Sequence, residues 1–155
     1  MTPATGEPPL ARLFAIGYRL LIDGLHERLR ARGWTDVRPA FGFVLLAASD
    51  QPTSVRELAA LMGTTKQAAS KLVEAMVVAG YVERGVGAQD ARQRPVRLTP
   101  RGAELLRGVE EIYAELEREW AGVIGAAQVQ RMRRDLVRVL SDTGGGELPP
   151  VRPTW

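Results

Sequence analysis

Cysteine is absent from the 155 residues. Disulfide frameworks, thiol nucleophiles, cysteine-type zinc sites and direct thiol redox sensing are therefore excluded. Histidine occurs once, as His26, so neither a His-rich metal site nor a His–His acid/base pair can form within one chain. There is no glycine-rich phosphate loop and no visible nucleophile–base set, so no enzyme, metal or other cofactor is expected. No apolar stretch approaches the roughly 18 residues of a membrane span. The segment from Met1 to Pro9 lacks the basic and apolar regions of a secretion signal. A soluble, cytoplasmic protein with no membrane partner is expected.

The chain is 45% hydrophobic and 25% charged, enough to bury a core and remain soluble. Its net charge of +3 is modest, but its placement is not even. Between Ser54 and Thr99 lie Arg56, Lys66, Lys71, Arg84, Arg92, Arg94 and Arg97 against Glu57, Glu74, Glu83 and Asp90, so this segment carries the whole excess. A basic island in a neutral body suits a polyanion partner, although chance placement of a few arginines would look the same.

The proline-rich residues 1–9 and the Gly- and Pro-rich residues 142–155 are expected to be disordered. Between them the pattern is helical. Leu10, Leu13, Phe14, Gly17, Leu21, Leu25 and Leu29 predict an amphipathic helix over 10–31. Pro39 opens a second helix to about Ser49, apolar all round. Ser54 and Glu57 form a capping box for a short helix that Gly63 ends. Thr64 or Thr65 caps the next, which runs to Ala79. Tyr81–Arg84 and Pro95–Leu98 read as a β-hairpin with a long polar tip. Thr99-Pro100 starts a long helix broken at Gly125, and a last helix spans about 127–141.

The run from Val55 to Glu74 has the residue types of a helix–turn–helix: small Ala59 where the helices touch, Gly63 in the turn, and Leu58, Met62, Leu72 and Val73 as the clamp. A basic hairpin follows at once, which makes a winged helix–turn–helix. The second helix can enter the major groove with its N-terminal residues on base edges and phosphates. The DNA-facing residues are then Thr65, Lys66, Gln67, Ser70 and Lys71, joined by Arg84, Asp90, Arg92 and Arg94 of the hairpin. Gln can pair with adenine, Lys can reach guanine or phosphate, and an extended Arg fits a narrow minor groove. A plain solvated helix face and a local surface ion pair are the competing readings.

Ser54-Val55-Arg56-Glu57-Leu58-Ala59, Gly63-Thr64-Thr65-Lys66-Gln67, Gly80-Tyr81-Val82-Glu83-Arg84, Asp90-Ala91-Arg92 and Leu98-Thr99-Pro100-Arg101-Gly102 together resemble the MarR family of bacterial transcription regulators. The likeness is dense over 54–102 and looser, by helix order, over 10–141. Ala68, Ala69 and Pro95 depart from the usual pattern. The resemblance implies a mainly α fold with a small β-hairpin wing. Residues 37–102 would form the winged module, and the helices of 10–36 and 103–141 a dimerisation region. It further implies a homodimer on a pseudo-palindromic operator in double-stranded DNA, usually a repressor, released by a small, often aromatic effector. That effector would lie among the first, second and fifth helices, with Arg12, Tyr18, His26, Trp34, Phe41, Phe43 and Tyr113 as lining residues. Core packing for Tyr113 and Phe41 and a surface or interface place for His26 compete with that role. Arg131, Arg133, Arg134 and Arg138 form a basic face on the last helix, read as solvated or paired with Glu110, Glu111, Glu115, Glu117 and Glu119. The alternative function is a winged-helix protein–protein interaction module without effector binding.

Overall fold

A computed structural model describes residues 6–86 and 94–149. The elements are α1 (Leu10–Ala31), α2 (Phe41–Ala47), α3 (Val55–Met62), α4 (Lys66–Val78), β1 (Val82–Arg84), β2 (Val96–Leu98), α5 (Pro100–Ile124) and α6 (Ala126–Thr143). The expected class, mainly helical with one small antiparallel hairpin, is what the described residues adopt.

α1 lies along α5. The contact is close because small residues stand at it: a Cβ on Gly24 would come within 2.9 Å of Leu116, and one on Gly17 within 3.3 Å of Trp120. Only the C-terminal half of α1 reaches the core, through Leu25 and Leu29. On the outer side Arg28 pairs with Glu115 and Glu119, and Arg32 pairs with Glu111 and Glu115. Each exposed pair contributes little. The spacing of four on both helices nevertheless matches in a single register. Three of the six acids of α5 are thus paired with α1; of the α6 arginines, Arg133 pairs with Glu117.

α2 is shorter than its sequence suggests. The amides of Phe41, Gly42 and Phe43 bond to Arg38, Pro39 and Ala40, a three-residue spacing that delays the first α-helical turn. At the far end the Ser49 hydroxyl donates to the Leu46 carbonyl at 2.7 Å and closes the helix. Burial is not all round either: Phe41, Val44 and Leu45 are in the core while Leu46 is 64% exposed.

The capping box forms as expected. The Glu57 amide donates to Ser54 Oγ at 3.1 Å, and the Ser54 amide to Glu57 Oε2 at 3.3 Å. Gly63 takes φ 60°, the left-handed turn between α3 and α4. Thr65, not Thr64, caps α4, accepting from the Ala68 amide at 3.1 Å. The hairpin strands are three residues each, in the register Val82↔Leu98, Glu83↔Arg97 and Arg84↔Val96. Tyr81 stays out of the ladder because its amide bonds to the Met76 carbonyl at the end of α4. On its other edge β2 makes a bridge from Val96 to Thr53, which the sequence pattern does not signal. α5 begins at Thr99, whose hydroxyl oxygen accepts from the Gly102 amide at 3.0 Å. α6 packs on α5 and buries Val129. Among the described residues, no helix is long and apolar enough to cross a membrane.

Candidate nucleic-acid interface

α4 is two-sided. Ala69, Val73 and Met76 are buried, while Lys66, Gln67 and Lys71 are exposed, with Ser70 half-buried beside them. Helix propensity alone would favour an acidic residue near the positive N-terminal end of α4. Its first turn contains no acid and starts with Lys66. The chain holds two lysines in all, and both stand on this helix. That concentration is a sequence signal that helical periodicity does not capture.

The hairpin joins α4 through Arg84, half-buried, whose Nη2 donates to Ser70 Oγ at 3.4 Å. Arg84 and Ser70 therefore meet at the junction of wing and helix. Thr65 is exposed, and its oxygen is committed to the cap. Arg94 is exposed where the chain re-enters the hairpin. Asp90 and Arg92 lie outside the described residues.

A buried cluster sets the wing against the helical base. Tyr81 is fully buried. Its ring meets Trp34 and Phe41 at 6.0 Å between centroids in each case. Its hydroxyl donates to Asp36. The Arg101 guanidinium lies 5.1 Å from the Trp34 ring and 5.0 Å from that of Tyr81. The α1–α2 connection, the hairpin base and the start of α5 are thus locked through one tyrosine. Sequence reasoning passes over Arg101 and Asp36 because their partners are far away in the chain.

Burial, followed by the hydrogen bond to Asp36, pushes the Tyr81 hydroxyl up to about 12, with Arg101 acting against the rise. Above pH 10 an unfolded tyrosine loses its proton while the folded one keeps it. The stability due to this group is therefore complete below pH 10 and is lost as the pH rises toward 12. Tyr81→Phe should remove that slope and cost about 1 kcal/mol at neutral pH. Urea denaturation of both proteins at pH 7, 10 and 11 checks this; identical slopes would show that the hydroxyl carries none of it.

Of the residues read as effector-lining, Phe41 is core and Trp34 belongs to the Tyr81 cluster. Tyr113 is half-buried against the core, and its hydroxyl is pushed up by burial and then by Tyr18 nearby. His26 is half-buried on α1, its pKa lowered by burial and then by Arg30, with Asp23 opposing. Phe43 is half-buried in α2, and Arg12 is exposed on the first half of α1. Two cavities formed by described residues, one lined by Arg38, Met62 and Lys71 and one by Ser49, Pro52 and Arg97, have none of these seven in their lining.

Comparisons with known proteins agree with this architecture. A family model described as MarR family matches residues 43–93. The HTH-type transcriptional regulator PetP of Rhodobacter capsulatus is 36% identical over 58 residues, which span 37% of this chain and 35% of that protein. The reduced form of MarR from Escherichia coli superposes with a TM-score of 0.72 at 25% identity, covering 88% of this chain and 99% of that one. The transcriptional regulator BldR from Sulfolobus solfataricus gives 0.65 at 26% identity, covering 86% and 93%.

Proposed function

We propose that the chain is a MarR-family winged helix–turn–helix, DNA-binding transcription regulator, and that it is a homodimeric cytoplasmic repressor of a pseudo-palindromic operator, not an enzyme, released by a small aromatic ligand. The observation that carries the DNA reading is the exposed row Lys66, Gln67 and Lys71 at the acid-free start of α4. The dimer is supported by apolar side chains left in solvent on the helices outside the winged module. Leu10, Leu13, Phe14, Ile16 and Leu20 on α1, Val123 and Ile124 on α5, and Val137, Val139 and Leu140 on α6 are all exposed. A surface of that size calls for a partner, and a second copy offers the same helices in return. A ligand held among α1, α2 and α5, next to Tyr18 and Tyr113, would be connected to the wing through the Tyr81 cluster.

The test is selection of duplex DNA from a random pool with the purified full chain. Fluorescence anisotropy follows, on the selected and on a scrambled duplex at two salt concentrations. Selective binding that weakens steeply with salt is expected. Salt-insensitive or unselective binding would instead favour a wing that packs against a protein. In the same assay Gln67→Ala should relax base preference more than it lowers total affinity, at about 1–3 kcal/mol for the base it reads. An unchanged selected sequence would remove Gln67 from base reading.

A further inference from the structure

Of the 21 lysines and arginines in the chain only Lys66 and Lys71 are lysines. Both are exposed on α4, but their surroundings differ. Lys71 lines a cavity of about 490 Å3 between the α1–α2 connection and the helix–turn–helix, and Lys66 does not. Met62 of α3 and Ala68 and Leu72 of α4 give this cavity an apolar wall, and Thr64 adds a hydroxyl. Arg38 brings the other charge in the lining, again positive. Its guanidinium lies 5.8 Å from the centroid of the core ring Phe41. Neither Arg38 nor Lys71 is in an ion pair among the described residues. One of the two side-chain amines is thus set beside an apolar hollow and a second cation, with no acid in the lining.

An acyl phosphate has the matching parts: a short apolar acyl group, an electrophilic carbonyl carbon and an anionic leaving group. We propose that Lys71 is a site of Nε-acylation by small acyl phosphates. Arg38 and the Thr64 hydroxyl hold the phosphate, and the acyl group lies toward Met62, Ala68 and Leu72. The neutral Lys71 amine attacks the carbonyl carbon. A C–N bond forms, and the C–O bond to phosphate breaks with its electron pair passing to the phosphate, which takes up the amine proton. The products are an amide and inorganic phosphate. The amide carries no charge, so α4 loses one of its two exposed lysine cations and DNA affinity falls. This consequence, though not the site, rests on the DNA-reading role of α4.

Timed treatment of the full chain with acetyl phosphate, without DNA, tests the site by peptide mass spectrometry. Acetylation of Lys71 should begin about fivefold or more faster than that of Lys66, the same amine without the cavity. Inorganic phosphate should slow Lys71 and leave Lys66 unchanged. Arg38→Gln should slow Lys71 by about fivefold or more, again with Lys66 unchanged, and a thermal melt confirms that the variant folds. The uncharged acetyl ester of N-hydroxysuccinimide should acetylate Lys71 at the same rate in the variant and the parent. Equal rates at the two lysines with acetyl phosphate, or a Lys71 preference indifferent to phosphate or to Arg38→Gln, would overturn the site. For the consequence, a pool acetylated at half of its Lys71 is passed over the immobilised selected duplex. Chains acetylated at Lys71 should be depleted from the bound fraction by about fivefold or more. An equal share in bound and free fractions would overturn the effect on DNA while the site stands. Preferred acetylation of Lys71 in a chain that selects no DNA would overturn the DNA reading while the site stands.

Discussion

Gly102→Ala is expected to cost about 3 kcal/mol or more and to lower the melting temperature by about 6–12 °C. On propensity alone the change should help, since alanine is worth about 1 kcal/mol more than glycine inside a helix. Here the added Cβ would fall onto the carbonyl of Tyr81, too close for the backbone to remain where it is. Neither side can yield cheaply. The Tyr81 carbonyl accepts from the Thr99 amide at 3.1 Å. The Gly102 amide donates to Thr99 Oγ1 at 3.0 Å, and the Thr99 hydroxyl donates to the Gly80 carbonyl at 2.5 Å. Moving α5 away would break this cap and lift Arg101 from Tyr81 and Trp34. Gly108→Ala in the same helix is the control. Its Cβ would meet Trp34 Nε1 at 3.9 Å, ordinary contact, so that variant should be as stable as the parent or more so. Thermal melts of the three proteins decide the matter; equal melting temperatures for Gly102→Ala and the parent would mean that the wing and α5 do not hold this close packing.

What the sequence reveals here is what local chemistry controls. The capping box of Ser54 and Glu57, the left-handed Gly63 and the Thr99 cap each depend on residues within a few positions, and each is found in place. The two-sided character of α4 follows from periodicity in the same way. Features fixed by distant neighbours are less legible. Alternation treats Tyr81 as a strand residue, yet both it and Val82 are buried, because the end of α4 captures its amide before the ladder begins. The three-residue bonds that shorten α2 depend on how Pro39 and Ala40 are held, and the Thr53 bridge on β2 arriving beside it. The charge ladder between α1 and α5 looks, in sequence, like acids available to α6. The cavity lined by Arg38, Pro39, Met62, Thr64 and Lys71 leaves no trace in any pattern, since its lining comes from the α1–α2 connection, from α3 and α4, and from the turn between them.

Removing the only two lysines tests the interface at its centre. Lys66→Ala with Lys71→Ala should lower affinity for the selected duplex by about a hundredfold or more while moving stability by no more than about 0.5 kcal/mol. The fold should tolerate the loss because both side chains are exposed and neither is in an ion pair among the described residues. The affinity should not, because each lysine that meets a phosphate releases condensed counterions. Two lysines in each half of a dimer would account for a salt slope shallower by about 3–4. The scarcity of lysine gives a second readout that needs no mutation. An amine-acetylating reagent can modify Lys66, Lys71 and the N-terminal amine and no other amine in this chain. Selected DNA should protect the two lysines and leave the N-terminus as reactive as before, by peptide mass spectrometry. Protection with a shallower slope in the double variant would place α4 on the phosphates. Equal acetylation with and without bound DNA, together with an unchanged slope, would move the contact surface off this helix and overturn the interface.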